Sequence, residues 1–276
     1  MKAQVVLTTP ESKRLVAKAV SLHPAVRGAL EKGIIAIGLG STNAYGGEEI
    51  LGEGIEKERY AAGFLDELGA CVIPEKERIK EIVLEQGRRI DETTAGVVTR
   101  MGPGDVFIKG ANAIDMDGIC GVMLASETGG TVAKVLGVIK ARGIRLIIPV
   151  TLDKLIPGSI NDISNRAGIY TMDYSTGIPV GVMPVSGEVI TEIEAFDLLF
   201  GVEAELVGSG DFGSSGNPSM FLLEGTPENV KAAINLVEEI KGEPPLPSMR
   251  GPCPTCEYKH CPNQGGKDLP GYMKRK

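Results

Sequence analysis

Tryptophan is absent from this 276-residue chain, and Phe and Tyr together make up only 4% of it. A function that stacks bases on aromatic rings, as single-stranded nucleic-acid binding does, has too few platforms here. Positive charge is also scarce: 29 Lys and Arg face 36 Asp and Glu, a formal net charge of −7. That balance argues against a nucleic-acid partner, and the terminal MKRK reads as a solvated tail. No apolar run approaches the ~20 residues that a spanning helix needs. The opening MKAQVVLTTPESKR has too short an apolar stretch for a signal peptide. The expectation is a cytoplasmic protein with no membrane partner. Repeats of useful length are missing as well.

What is present is an ordinary globular composition, 42% hydrophobic and 24% charged. The length allows one large domain or two small ones. Residues 11–31 carry apolar residues at helical spacing, with Pro24 opening a second helical segment and His23 before it as a cap or surface residue. GIIAIGLG (33–40) reads as a strand, 58–74 as extended, and 75–90 as an amphipathic helix. GDVFIKGANAID (104–115) is a second buried strand. ETGGTVAKVLGVIKARG (127–143) is a Gly-rich turn entering a helix, and IRLIIPVTLDKLIP (144–157) a third strand. Near-continuous apolar strands alternating with helices predict an α/β fold, a Rossmann-like parallel sheet covered on both faces. Beyond 178 the pattern changes: IPVGVMPVSG as a strand, 188–201 as a helix, two further strands, and a helix over 226–242 capped by Thr226 with Pro227 at its first position. The predicted organisation is a Rossmann-like domain (1–177), a smaller α+β domain (178–242) and a Pro/Gly/Cys-rich tail (243–276).

In a parallel sheet, ligands bind outside the carboxyl ends of the strands. Three predicted strands end in small or polar residues: Gly38–Asn43, Lys109–Asp115 and Thr151–Lys154. The first of these is not a dinucleotide fingerprint, because Asn43 stands where the third glycine belongs, and no Gly-Lys-Ser/Thr follows to make a Walker loop. Gly40, Ser41, Thr42 and Asn43 instead offer hydroxyls and free amides ahead of a helix, a combination that holds phosphate or carboxylate. Lys154 would supply positive charge, with Asn112, Asp115, Gly129 and Gly130 also facing the ligand. Lys109 and Glu127 are the candidate catalytic groups, Glu127 because it is the nearest remaining carboxylate. Lys109 reads as a ligand contact before a base.

These segments carry a resemblance. GLGSTNAY is similar to the GxGST loop of type A ribose-5-phosphate isomerase, and more broadly to the superfamily it shares with glucosamine-6-phosphate deaminase, CoA transferases and 5-formyltetrahydrofolate cyclo-ligase. DVFIKGANAID, ETGGTVAKVLG and LDKLIP resemble the family's later motifs in order, and IPVGVMPV with SSGNPSMFLLEG its small α+β domain. The resemblance implies a NagB/RpiA/CoA transferase-like fold, a sugar phosphate or similar anionic metabolite as partner, and a homo-oligomer. The departures bear on activity. Lys109-Gly110-Ala111-Asn112 replaces the family's Asp-Gly-Ala-Asp, and Val135 or Lys134 occupies the place of the isomerase glutamate. Isomerisation needs a carboxylate-strength base near the reacting carbon, so the anion-binding half of that site is matched and the acid–base half is not. The resemblance leaves isomerase-like or CoA transferase-like chemistry and a non-catalytic metabolite sensor as alternatives.

Five cysteines complete the inventory. Cys71 and Cys120 lie in apolar surroundings and read as inert. Cys253, Cys256 and Cys261 crowd into the tail with His260, which in a reducing compartment points to metal before disulfide. Zinc or an iron–sulfur cluster is the expected cofactor, and a metal-containing interaction module centred on the tail is a third functional class.

Overall fold

The computed structural model describes residues 1–210 and 216–266. The chain opens with strand β1 (Lys2–Leu7) and helices α1 (Thr9–Leu22) and α2 (Pro24–Lys32). The Thr8 amide donates to Glu11 Oε2 at 2.8 Å where α1 begins. His23 starts α2: its Nδ1 accepts the Ala25 amide at 3.2 Å, and Pro24 supplies the first helical position, where no amide is needed. Strand β2 (Ile34–Ile37) then leads through Gly38-Leu39-Gly40 into α3 (Ser41–Leu51).

Two hairpins follow, β3 (Gly63–Asp66) with β4 (Gly69–Val72) and β5 (Ile82–Glu85) with β6 (Arg88–Arg89). The second overturns the helix expected over 75–90. Gln86 and Gly87 both take positive φ, 49° and 74°, the backbone of a two-residue turn whose twist suits a hairpin. Ile82, Val83 and Leu84 are all buried, which one face of a surface helix would not allow.

Helix α4 (Thr94–Val97) precedes strands β7 (Val106–Ile108), β8 (Ala113–Ile114) and β9 (Cys120–Leu124). The predicted Gly-rich turn does enter a helix, α5 (Gly130–Arg142), followed by β10 (Arg145–Pro149) and α6 (Ile160–Ser164). The remainder is β11 (Gly181–Val185), β12 (Glu188–Ile190), α7 (Glu192–Phe200), β13 (Glu203–Ser209), β14 (Ser219–Glu224) and α8 (Pro227–Ile240). Thr226 caps α8 as expected, accepting the Asn229 amide at 3.2 Å.

The result is a mixed α/β fold. Its largest sheet has six strands in the order β12-β10-β7-β2-β5-β6, with the first four mutually parallel. Strand residues alternate between two cores. Ile35, Ile37, Val106, Ile108 and Ile147 point to a cluster shared with α1, α2, α7 and α8. Ala36, Phe107, Leu146 and Ile148 point to a second cluster with Val132, Val135 and Ile139 of α5. Segment 178–242 contributes strands to three sheets: β11 beside β9, β12 beside β10, and β13 and β14 with β1. No helix among the described residues is long and apolar enough to cross a membrane.

The tail is fastened by side chains. Arg250 grips Asp66 through two nitrogens, at 3.0 and 2.5 Å, and reaches the Gly69 carbonyl at 2.7 Å. Both side chains are 10% exposed, so breaking the pair strands a desolvated carboxylate, at about 3–5 kcal/mol. Arg250→Ala is therefore expected to release the tail, and limited proteolysis should cut after residue 243 many times faster than in the wild type. Lys80→Ala, which removes an ion pair of 79% and 83% exposed side chains, should leave the cleavage rate unchanged.

Candidate functional site

The first four strands of the main sheet deliver their carboxyl ends side by side. After β2, the Gly38 amide donates to the Ile108 carbonyl and Gly40 to Tyr60, at 2.9 and 2.8 Å. The five small residues of this turn have distinct reasons. A Cβ on Gly38 would lie 2.9 Å from Cδ of Lys109, so the glycine makes room for the lysine stem. Asn43 is fully buried, its Nδ2 donating to the Gly38 carbonyl at 2.6 Å and its Oδ1 accepting the Gly110 amide at 2.9 Å. Its amide is thus a brace between two strand ends. Ser41, Thr42 and Asn43 open α3, and among the described residues their amides have no backbone acceptor. A helix N-terminus of this kind favours negative charge.

Three lysines converge here. Lys109 Nζ donates to the Leu39 and Gly110 carbonyls at 3.3 and 3.2 Å, and Lys154 Nζ to the next carbonyl, Ala111, at 3.3 Å. Lys13 comes from α1, whose first residue Thr9 donates to Asp153 at 2.9 Å. Burial, followed by the charge of Lys154, pushes Lys13 and Lys109 down to about 8. Lys154 is itself lowered by burial, an effect opposed by Asp153 and Glu192. Among the described residues, none of the three makes an ion pair. Asp153 is held instead by the Thr9 and Thr151 hydroxyls, and Glu81, whose charge acts on Lys109, accepts both the amide and the hydroxyl of Thr94.

The fourth strand adds a carboxyl group. Glu192, the first residue of α7 after β12, is fully buried. Its Oε2 accepts the Leu152 amide at 2.9 Å, the Ser12 hydroxyl also bonds the group, and Oε1 has no partner. Burial, then the negative Asp153, raises its pKa to about 7.

Among the described residues, no hydrogen bond joins the other expected site residues to the three lysines. Asp115 is buried with its carboxylate fully used, accepting the Asp117, Ile119 and Ile160 amides at 3.1, 2.9 and 3.0 Å. Asn112 is exposed and accepts the Met123 amide at 3.0 Å. Gly129 caps α5 in the left-handed region, and Gly130 is its first residue. Glu127 is exposed, bonded by Tyr170 and by His260, the latter at 2.8 Å. These bonds hold its carboxyl below the usual range. A concavity of about 200 Å³ is lined by Ser126, Glu127, Gly129 and Tyr170, and a larger one of about 650 Å³ lies among α1, α2, α7 and α8. Neither is lined by Lys13, Lys109 or Lys154.

The metal expectation is corrected. Cys253, Cys256, His260 and Cys261 do not form a coordination set, and no three His, Cys, Asp or Glu among the described residues gather as a metal ion requires. His260 pairs its Nε2 with Glu127 and packs edge-on against Tyr170 and Tyr258, with centroids at 5.3 and 5.8 Å. The three cysteines are free thiols, and burial pushes that of Cys261 up. The tail is held by Arg250, His260 and Tyr258, the last bonding the Ala125 carbonyl, rather than by zinc or an iron–sulfur cluster.

Two residues of the site lay outside the sequence reading. Thr191-Glu192-Ile193-Glu194 has the capping-box spacing, and the Thr191 amide does donate to Glu194 at 2.8 Å. That signal would have started the helix at 192, left Glu188–Ile190 as a strand and put Glu192 at a strand end. Lys13 carried no such signal, since only the packing of α1 brings it near.

Asn43→Ala should orphan the Gly38 carbonyl and the Gly110 amide, at about 1–3 kcal/mol for each buried group. Urea denaturation should show a lower midpoint with an unchanged slope, and Asn43→Asp, which still accepts from Gly110, should fall between the two. No protein-family model, no curated protein and no solved structure matches the chain.

Proposed function

We propose that this protein binds a small phosphorylated or carboxylated metabolite at the carboxyl ends of its parallel strands. The observation that carries this reading is the trio Lys13, Lys109 and Lys154, with Lys154 near enough for its charge to act on the other two, and none of them in an ion pair among the described residues. Lys13, Lys109 and Lys154 are half-buried, and lysines withdrawn from water for structure alone are normally paired. A group of unpaired ones gains most from a multiply charged anion. The open amides of Ser41, Thr42 and Asn43 add donors and a favourable dipole on the same side of the sheet.

The finer fold reading belongs to the same proposal. Parallel strands β2, β7, β10 and β12 in sequential order support a Rossmann-like sheet, and with it the resemblance to the type A ribose-5-phosphate isomerase superfamily, whose loops hold phosphate at this end. The isomerase reaction is left out, because the place of the glutamate falls to Val135, a buried core residue of α5, or to the exposed Lys134, and neither is a carboxylate. A cytoplasmic, homo-oligomeric protein is part of the proposal by analogy with that superfamily.

The test is a thermal-shift screen of sugar phosphates, CoA esters, folates and small carboxylates. A ligand at 100 times its Kd adds about 2.7 kcal/mol, which raises Tm by several degrees in a chain of this size. Lys109→Met and Lys154→Met should abolish the shift while leaving the free protein as stable as the wild type or more so, since each removes a repulsive charge. No shift with any class, or a shift that survives both substitutions, overturns the proposal.

A further inference from the structure

Three carboxyl groups with similar burial differ in how they are satisfied. Glu11 receives the Thr8 and Gly242 amides and Lys241, and Asp115 receives three backbone amides. Glu192, the most deeply buried of them, leaves Oε1 with no partner. An orphaned oxygen in a buried carboxyl calls for an explanation, and this one stands at the end of the fourth parallel strand, beside the lysine cluster. Capping of α7 does not supply the explanation, because Thr191 and Glu194 perform it.

We propose that Glu192 is the proton-transfer group of the strand-end site, exchanging a proton through its free Oε1 with an anion held by Lys13, Lys109 and Lys154. This rests on the anion-binding reading above. The groups facing Glu192 are Asp153 and Lys154 from the turn after β10 and Ser12 from α1. Burial and Asp153 favour the protonated carboxyl, while the Ser12 hydroxyl and the Leu152 amide favour the carboxylate. The balance falls at about 7, so both forms are populated near neutrality, as an acid–base group requires. An arriving anion adds negative charge, shifts the balance toward the protonated form and draws one proton from solvent onto Oε1. That proton is then available to the ligand, and no oxidant, reductant or second substrate is involved. The chain would thus hold an acid–base group on a different strand end from the place where the isomerase glutamate is missing.

Isothermal titration calorimetry with pyrophosphate, at pH 7 and in buffers of low and high ionisation enthalpy, reads the proton uptake directly. In the wild type Glu192 should account for as much as about half a proton taken up per pyrophosphate, the amount left to add when a group sits at its pKa. Glu192→Gln keeps the acceptor for Leu152 and should bind with a Kd within about threefold, but with uptake reduced by more than half. Only the smaller share from Lys13 and Lys109 would remain. Binding with undiminished uptake overturns the role of Glu192 and leaves the anion site standing; no pyrophosphate binding by the wild type overturns both. Should Glu192→Gln not fold, Ser12→Ala serves in its place. Removing a bond that favours the carboxylate should move the pH of maximal uptake upward, and an unmoved maximum overturns the proposal.

Discussion

The strand-end site depends on one side-chain amide. Asn43 donates to the end of β2 and accepts from the backbone just after β7, so two neighbouring strands cannot splay where their own ladder stops. Everything near it is dimensioned to that brace. A Cβ on Gly110 would come within 3.1 Å of Asn43 Oδ1 and 3.2 Å of the Pro149 carbonyl, which ties β10 into the same contact. The glycines and the asparagine are therefore a packing solution first. By holding the Leu39, Gly110 and Ala111 carbonyls in place, that solution also fixes where two lysine ammonium groups can rest.

Charge is distributed unevenly across the molecule. Arg14 alone engages Glu48, Glu49 and Glu243, at 2.5, 2.8 and 3.0 Å, and its guanidinium also stacks over Tyr45. That cluster joins α1, α3 and the start of the tail. The residue just before Arg14 on α1, Lys13, has no such company. In a chain with seven more acidic than basic residues, carboxylates are plentiful, and leaving three lysines without one is a local arrangement rather than a shortage. Coulomb repulsion among them is weaker than it would be in a dry interior, because effective dielectric constants near 20 describe such sites best. It still suffices to set them apart from the satisfied pairs elsewhere.

The parts of the fold legible in the sequence were those with strong local signals. The β2 strand and its turn, the glycine pair before α5, β10 and the Thr226-Pro227 start of α8 all declare themselves through β-branched runs, left-handed glycines or capping residues. Residues 75–90 contain charged residues at spacings compatible with a helix, but the Gln86-Gly87 turn makes them a hairpin, whereas the helix expected over 188–201 forms and only starts later, at Glu192 after the Thr191 cap. The tail failed differently. Cysteine spacing is a statement about ligands only when the chain brings the thiols to a common centre, and here Arg250 and His260 find carboxylates on the body instead. Lys109, Lys154 and the α3 amides are neighbours for a reason of topology, because strand ends lie side by side in any parallel sheet. Lys13 required knowing how α1 lies across that sheet, which no local pattern encodes.

The pairing of β1 with β14 sets Lys2 opposite Glu224, and the apolar face of α1 packs in one cluster with α7 and α8. During synthesis the first strand therefore emerges long before β14 exists, whereas α1 finds α3 soon after it. Ribosomes add about 5–20 residues per second, so the stretch from Leu7 to Ser219 takes on the order of 10–40 s, during which β1 has no strand to pair with. The β1 ladder can close only after β14 is made, while α1 has α3 to pack on much earlier.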